Sequence, residues 1–153
     1  MLFRSRHYSN KGEVSDVGEY GNGHINDTYL LSLKNGDKII LQCINKSIFK
    51  EPEKLMENIV AVTVFLKGKI IKLGRNPSRE TLNIVKTDDD EFYFKSSLGD
   101  IWRAYEFVRD AICYEQVKSA KDFYEAGCAF GNFQNLLSDF PVETLHEIGR
   151  AHV

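Results

Sequence analysis

Asn35-Gly36 constrains this chain more than any other pair of residues. It separates "HINDTYLLSL" from "DKIILQCIN", two apolar-rich runs that read as strands. Asn-Gly readily takes the positive φ angles of a type I′ turn, so residues 24–33 and 37–45 are expected to form an antiparallel hairpin. Ile25, Tyr29, Leu31 and Leu33 are its expected packing residues. Upstream, "EVSDVGEY" over 13–20 reads as a weaker strand, joined to the hairpin through Gly21-Asn22-Gly23. Three antiparallel strands linked by tight turns are therefore the opening unit.

The period then changes. Pro52 suits the first turn of a helix, where its missing N–H costs nothing. Leu55, Ile59, Val62, Leu66 and Ile70 follow at helical spacing, and Gly68 is expected to end or loosen the helix. "GRNPSRE" reads as a loop. "TLNIVKT", "EFYFKS" and "IWRAYEFVRD" read as strands, with Asp88-Asp89-Asp90 as a solvated turn between the first two. Ser119 and Asp122 have the spacing of a capping box. Ala126, Phe130, Phe133, Leu137 and Phe140 mark one face of the helix that follows, which Pro141 limits. Trp102, Tyr105 and Phe107 are expected in the core rather than on a nucleic-acid stacking surface.

The bulk chemistry excludes several classes. With 153 residues, 42% hydrophobic and 27% charged, the chain is long enough for one domain with its own core. A formal net charge of −2 provides no global basic field for nucleic acid or acidic lipid. No apolar run approaches a membrane span, and "MLFRSRHYSN" lacks the apolar core of a signal peptide. The three cysteines are widely spaced, which argues against a disulfide framework or a C-x-x-C zinc site and for a cytoplasmic protein with reduced thiols. Cys43 and Cys128 lie in apolar patterns and are expected to be buried. No metal site is expected from Asp88-Asp89-Asp90, since consecutive carboxylates need a loop that folds back on itself.

A glycine-rich turn between antiparallel strands can bring backbone N–H groups close to phosphate oxygens, because no Cβ blocks the approach. Gly21-Asn22-Gly23 leads into a strand, whereas Walker and dinucleotide-binding turns lead into a helix. Taken alone, it is better read as a plain turn.

The order of elements extends this reading. "YGNGHINDTYLL", "IILQCINKSIFKEPEKLMENI" and "RAYEFVRDA" resemble the N-terminal lobe of the aminoglycoside phosphotransferase family, which has the protein-kinase fold, and within it the kinases of N-acetylhexosamines. The resemblance runs from about Glu13 to about His146. It implies an α+β fold: a kinase-like N-terminal lobe of antiparallel sheet plus one long helix over 1–108, a hinge or linker over 109–118, and the start of a helical C-terminal lobe over 119–146. It implies ATP with Mg²⁺ as cofactor and a small-molecule, sugar-like hydroxyl as acceptor, with no nucleic-acid or membrane partner.

By that resemblance Gly21, Asn22, Gly23, His24 and Asn26 form the phosphate loop, with Asn26 where protein kinases have a third glycine. His24 is read as a structural hydrogen-bonding residue. Gln42 falls where kinases carry a lysine on the third strand, a departure that removes a charge; Lys38 and Lys46 lie nearby on the strand. Glu57 matches the helix glutamate that pairs with that lysine, or is a solvated carboxylate. Ile40 would roof the adenine. Glu106, through its carbonyl, and Val108, through its N–H, would be the hinge contacts. Gln42 also favours the alternative, a non-catalytic interaction module on a kinase-like or unrelated α+β sheet.

No H-x-D-x-x-x-x-N segment follows the hinge. Ile148 to Val153 are what ATC GGA AGA GCA CAC GTC encodes, a string that resembles a short-read sequencing adapter. The expectation is a truncated piece whose genuine sequence ends near His146, with 147–153 as adapter-derived tail, lacking the C-terminal lobe and inactive in phosphoryl transfer.

Overall fold

The computed structural model describes residues 6–21, 25–112, 114 and 116–147. Six strands form one antiparallel sheet: β1 (Val14–Glu19), β2 (Asp27–Leu33), β3 (Lys38–Cys43), β4 (Ile84–Val85), β5 (Phe94–Lys95) and β6 (Ile101–Glu106). Their order is β1-β2-β3-β6-β4, and β5 also pairs with β6. The helices are α1 (Pro52–Lys72), the single turn α2 (Pro77–Glu80) and α3 (Ala120–Leu136).

The β2–β3 hairpin is present, but Asn35-Gly36 does not take a type I′ turn. Gly36 alone of the pair has positive φ, at +86°. Leu33 donates to the Asp37 carbonyl at 2.9 Å, which leaves a three-residue connection. The Asn35 side chain favours this shape, accepting from the Asp37 N–H at 2.9 Å and donating to the Lys11 carbonyl at 3.2 Å.

Strand parity divides the side chains between two faces. One face carries Leu31, Leu33, Ile39, Leu41, Trp102 and Ala104, which pack with Tyr8 and Val85 as the larger core. On the other face α1 covers one end only. There Leu55 and Met56 pack on Ile44 and Ile101, flanked by Ile59, Ile84 and Phe92. The rest of that face carries Ile40, which is buried, and Gln42, Arg103 and Tyr105, which are half-buried; Met56 of α1 reaches Arg103 there.

The helix stripe behaves as its spacing predicts: Leu55, Leu66 and Ile70 are buried, and Ile59 and Val62 half-buried. Gly68 neither ends nor breaks α1, which continues to Lys72. Two predicted strands shrink. "TLNIVKT" keeps only Ile84–Val85, while the Asn83 side chain bonds the Pro77 and Thr81 carbonyls. "EFYFKS" keeps Phe94–Lys95. "IWRAYEFVRD" stops at Glu106.

Ser119 caps α3 through the predicted reciprocal box with Asp122. Of its expected packing face, Leu137 is half-buried and Phe140 buried as expected, but the rest is a correction. Phe130 is 71% exposed and Phe133 46%, and Ala126 is exposed too. Only the end of the helix meets α1, where Leu136 joins Leu66 and Ile70 with Leu137 against them. Cys128 is exposed on the same helix, against the expectation of burial, and Cys43 is half-buried against the main core. Ile25, expected to pack, is 52% exposed because β2 begins only at Asp27.

Asp88 does more than solvate a turn. Its carboxylate accepts from the Ser9 N–H and hydroxyl and from the Asn10 N–H, at 3.1, 2.6 and 2.8 Å. Desolvation pushes its pKa up, but these hydrogen bonds outweigh that and hold it below the ordinary aspartate value of 3.8. A depressed folded pKa contributes stability that is complete above the unfolded value and is lost as pH falls through the folded one. Asp88→Asn should therefore narrow the stability difference between pH 6 and pH 3, read by urea unfolding at the two pH values; an unchanged difference would show that these contacts are not formed.

Candidate nucleotide site

The part of the second sheet face that carries Gln42 lies beside the β1–β2 loop. Gly21 sits there with φ +81°, a conformation that side chains with a Cβ rarely adopt. Asn22, Gly23 and His24 lie outside the described residues. Asn26 is half-buried, and its Oδ1 accepts from the Asn45 N–H at 2.9 Å, which ties the end of the loop to the segment leaving β3. Asn26→Ala should cost about 0.5–1.5 kcal/mol of stability, the range for a lost hydrogen bond, in denaturant titration. A depression of ≈ 170 Å³ opens beside the loop, lined by Glu19, Tyr20, Gly21, Asn26 and Thr28 among others.

Gln42 lies opposite Thr28 on β2 and opposite Arg103 on β6. Its Nε2 donates to Thr28 Oγ1 at 2.9 Å. Its Oε1 accepts from Arg103 Nε at 3.1 Å and Nη2 at 2.6 Å. The guanidinium fork thus orients the amide, since only the oxygen can face a cation. Arg103 is half-buried, and burial pulls its pKa below the ordinary value, with Tyr105 nearby opposing the change. Among the described residues no carboxylate pairs with it. Neither lysine near Gln42 in sequence stands in for the missing kinase lysine. Lys46 pairs with Asp100 at 3.0 Å, and Lys38 lies 5.6 Å over the Phe107 ring.

Glu57 is not brought to Gln42. Its side chain is 62% exposed and pairs with His146 Nε2, while Asn58 makes two hydrogen bonds of 2.8 Å to the His146 backbone. One residue turns a helix by about 100°, and Met56 takes the inward position instead; its Sδ lies 4.0 Å from Arg103 Nη1.

Ile40 is buried on the same face as Gln42, between Leu30 on β2 and Tyr105 on β6. Glu106 ends β6; its N–H donates to the Asn83 carbonyl at 2.9 Å, and its side chain reaches Lys11 at 3.6 Å. Val108 is 37% exposed two residues on. Of the three aromatics expected in the core, only Trp102 is there. Tyr105 and Phe107 are half-buried on the face that carries Gln42, where Phe107 meets Tyr20 edge-on at 5.8 Å. Burial raises the Tyr105 pKa, against the lowering effect of Arg103.

Arg103 is the residue that sequence reasoning missed. The signal was its place in "IWRAYEF", a cation at an alternate position of an otherwise apolar and aromatic strand.

This architecture is α+β, an antiparallel sheet with helices that matches a kinase-like N-terminal lobe. No protein-family model matches the chain. Among solved structures, the GDP complex of wild-type aminoglycoside 2'-phosphotransferase-IIIa aligns with 94% of this chain at TM-score 0.50 and 20% identity. The GDP and kanamycin complex of APH(2")-IIia aligns with 93% at TM-score 0.49 and 20% identity. The chain covers 43% and 42% of those two chains, less than half their length. The likeness at this identity is one of fold. Among the described residues, no helix is long and apolar enough to cross a membrane.

Proposed function

We propose that this chain is the nucleotide-binding lobe of a phosphotransferase that moves the γ-phosphoryl group of ATP to a small-molecule hydroxyl. The observation that carries the reading is the juxtaposition on one sheet face of Gly21 at the end of β1 with the Gln42 amide: Gly21 and Thr28 line one depression, and Gln42 bonds Thr28. The GDP in the solved structure of like fold supports nucleotide as the ligand class. In this reading residues 1–108 are the lobe, 109–118 the linker and 119–146 the start of a helical lobe.

Each residue has a part in that reading. The backbone of Gly21, Asn22 and Gly23 approaches the phosphates, with Asn26 holding the loop and His24 in a structural role. Gln42 donates to phosphate oxygen. Ile40 lies in the sheet beneath the base, and the Glu106 carbonyl and Val108 N–H offer the base an acceptor and a donor. Glu57 is a solvated carboxylate. The described residues offer Mg²⁺ no cluster of three or more ligating side chains. The lobe's contribution is therefore to hold base and phosphates in place, the main task in phosphoryl transfer. The acceptor is a sugar such as an N-acetylhexosamine, on the resemblance of the sequence motifs, and the setting is cytoplasmic.

Equilibrium titration of the full-length protein with ATP, GTP and adenosine tests this. Saturable nucleotide binding is expected, and Gly21→Val should weaken ATP about tenfold or more while costing about 1–2 kcal/mol of stability from its positive φ. Absence of nucleotide binding would reject the reading in favour of a non-catalytic interaction module, the alternative that Gln42 in place of lysine favours.

A further inference from the structure

The Gln42 face carries a charge that the residues assigned above leave unused. Arg103 is half-buried, and among the described residues it has no carboxylate partner. A guanidinium stays protonated in proteins, so the charge is present at any working pH. Desolvating it without a counterion is unfavourable. An apolar side chain of similar size would satisfy β6 better if packing were its only task.

The groups around it leave its charge standing. Met56, not a carboxylate, faces it from α1, 4.0 Å from Nη1. Glu57, the next residue, is held by His146. Tyr105, on its own strand, is neutral, with its pKa raised by burial. Nε and Nη2 are both taken up by Gln42 Oε1. Two cationic donors on one carbonyl polarise the amide and strengthen Nε2 as a donor on its far side. That far side points to Thr28 Oγ1, next to the glycine loop.

We infer that Arg103 is a phosphate-positioning residue: the positive charge for an incoming nucleoside di- or triphosphate stands on β6 and reaches the phosphates through the Gln42 amide. The inference rests on the nucleotide reading above and adds the source of the charge that Gln42 cannot bring. It explains how a glutamine can stand at the β3 position without leaving the face uncharged.

The test compares ATP and adenosine binding in wild type, Arg103→Met, Arg103→Gln and Arg103→Lys, with thermal unfolding of each. Arg103→Met should lower ATP affinity about 10–100-fold, the range for a charge-assisted hydrogen bond. It should leave adenosine affinity unchanged, flatten the salt dependence of ATP binding and retain the folded state beside Met56. Arg103→Gln should repeat that loss, and Arg103→Lys should restore part of the ATP affinity because the charge returns. Equal losses for ATP and adenosine would assign Arg103 a purely structural role and overturn the inference. Unchanged ATP affinity in both uncharged variants, with wild type binding ATP, would overturn it while leaving the nucleotide reading intact. Wild-type protein that binds neither ligand would overturn the nucleotide reading and this inference with it.

Discussion

Trp102→Ala lowers the free energy of unfolding by about 3–5 kcal/mol, the largest single effect expected here. Trp102, near the start of β6, is 1% exposed. Phe94 stacks on it at 6.2 Å and 11°, and Tyr29 lies at 6.1 Å. It shares a core with Tyr8, Leu41 and Val85, so it joins β2, β3, β4 and the N-terminal 3-10 segment Arg6–Lys11. Removing the indole leaves a cavity bounded by strands on both sides, which cannot collapse without breaking pairing. The melting midpoint should fall by roughly 10 °C or more. Trp102→Phe should recover part of the loss, because a ring still meets Phe94. A loss under about 1 kcal/mol for the alanine variant would show that this residue is not a core anchor.

Ile70→Ala is expected to cost about 2–5 kcal/mol and to release α3. Ile70 is 0% exposed, and with Leu66 it forms the buried surface that receives Leu136. The other links between α1 and the end of α3 are peripheral. Phe65 meets Phe140 edge-on at 5.1 Å, Lys69 pairs with Asp139, and Arg75 reaches Asn132 at 3.3 Å. Exposed ion pairs contribute little, so the apolar cluster decides the docking. Amide hydrogen exchange should show residues 120–136 losing protection in Ile70→Ala while β2, β3 and β6 keep theirs. Asp139→Asn should leave that protection nearly unchanged. Protection of α3 that survives Ile70→Ala would locate its anchor elsewhere.

The site was partly legible. Gln42 and Ile40 share a face because a strand alternates, and that parity can be read from the chain alone; that Thr28 faces Gln42 depends on the β2–β3 register, which the three-residue connection shifts by one from the expected two-residue turn. Glu57 was placed by position along α1, but position does not determine rotation about the helix axis. Packing of Leu55 and Met56 on Ile44 and Ile101 turns Glu57 outward. The aromatic pattern of Tyr105 and Phe107 looked like core because alternation marks two faces without saying which is covered. The same limit explains α3. Its apolar stripe is real, yet only Leu136 and the residues just beyond it meet α1.

The local order of the chain determined the β1–β2–β3 unit, the span of α1 and the cap of α3. Each rests on interactions a few residues apart: a turn at Asn35-Gly36, a stripe at i, i+3 and i+4, and a reciprocal Ser119–Asp122 bond. Tertiary structure alone decided that β6 lies beside β3. That pairing joins Gln42 to Arg103 across 61 residues and sets beside the amide a cation that, among the described residues, has no carboxylate partner. Alternation orients a side chain relative to its own strand, whereas the identity of the neighbouring strand depends on which apolar faces pack together, Trp102 and Leu41 on one side and Ile101 and Met56 on the other.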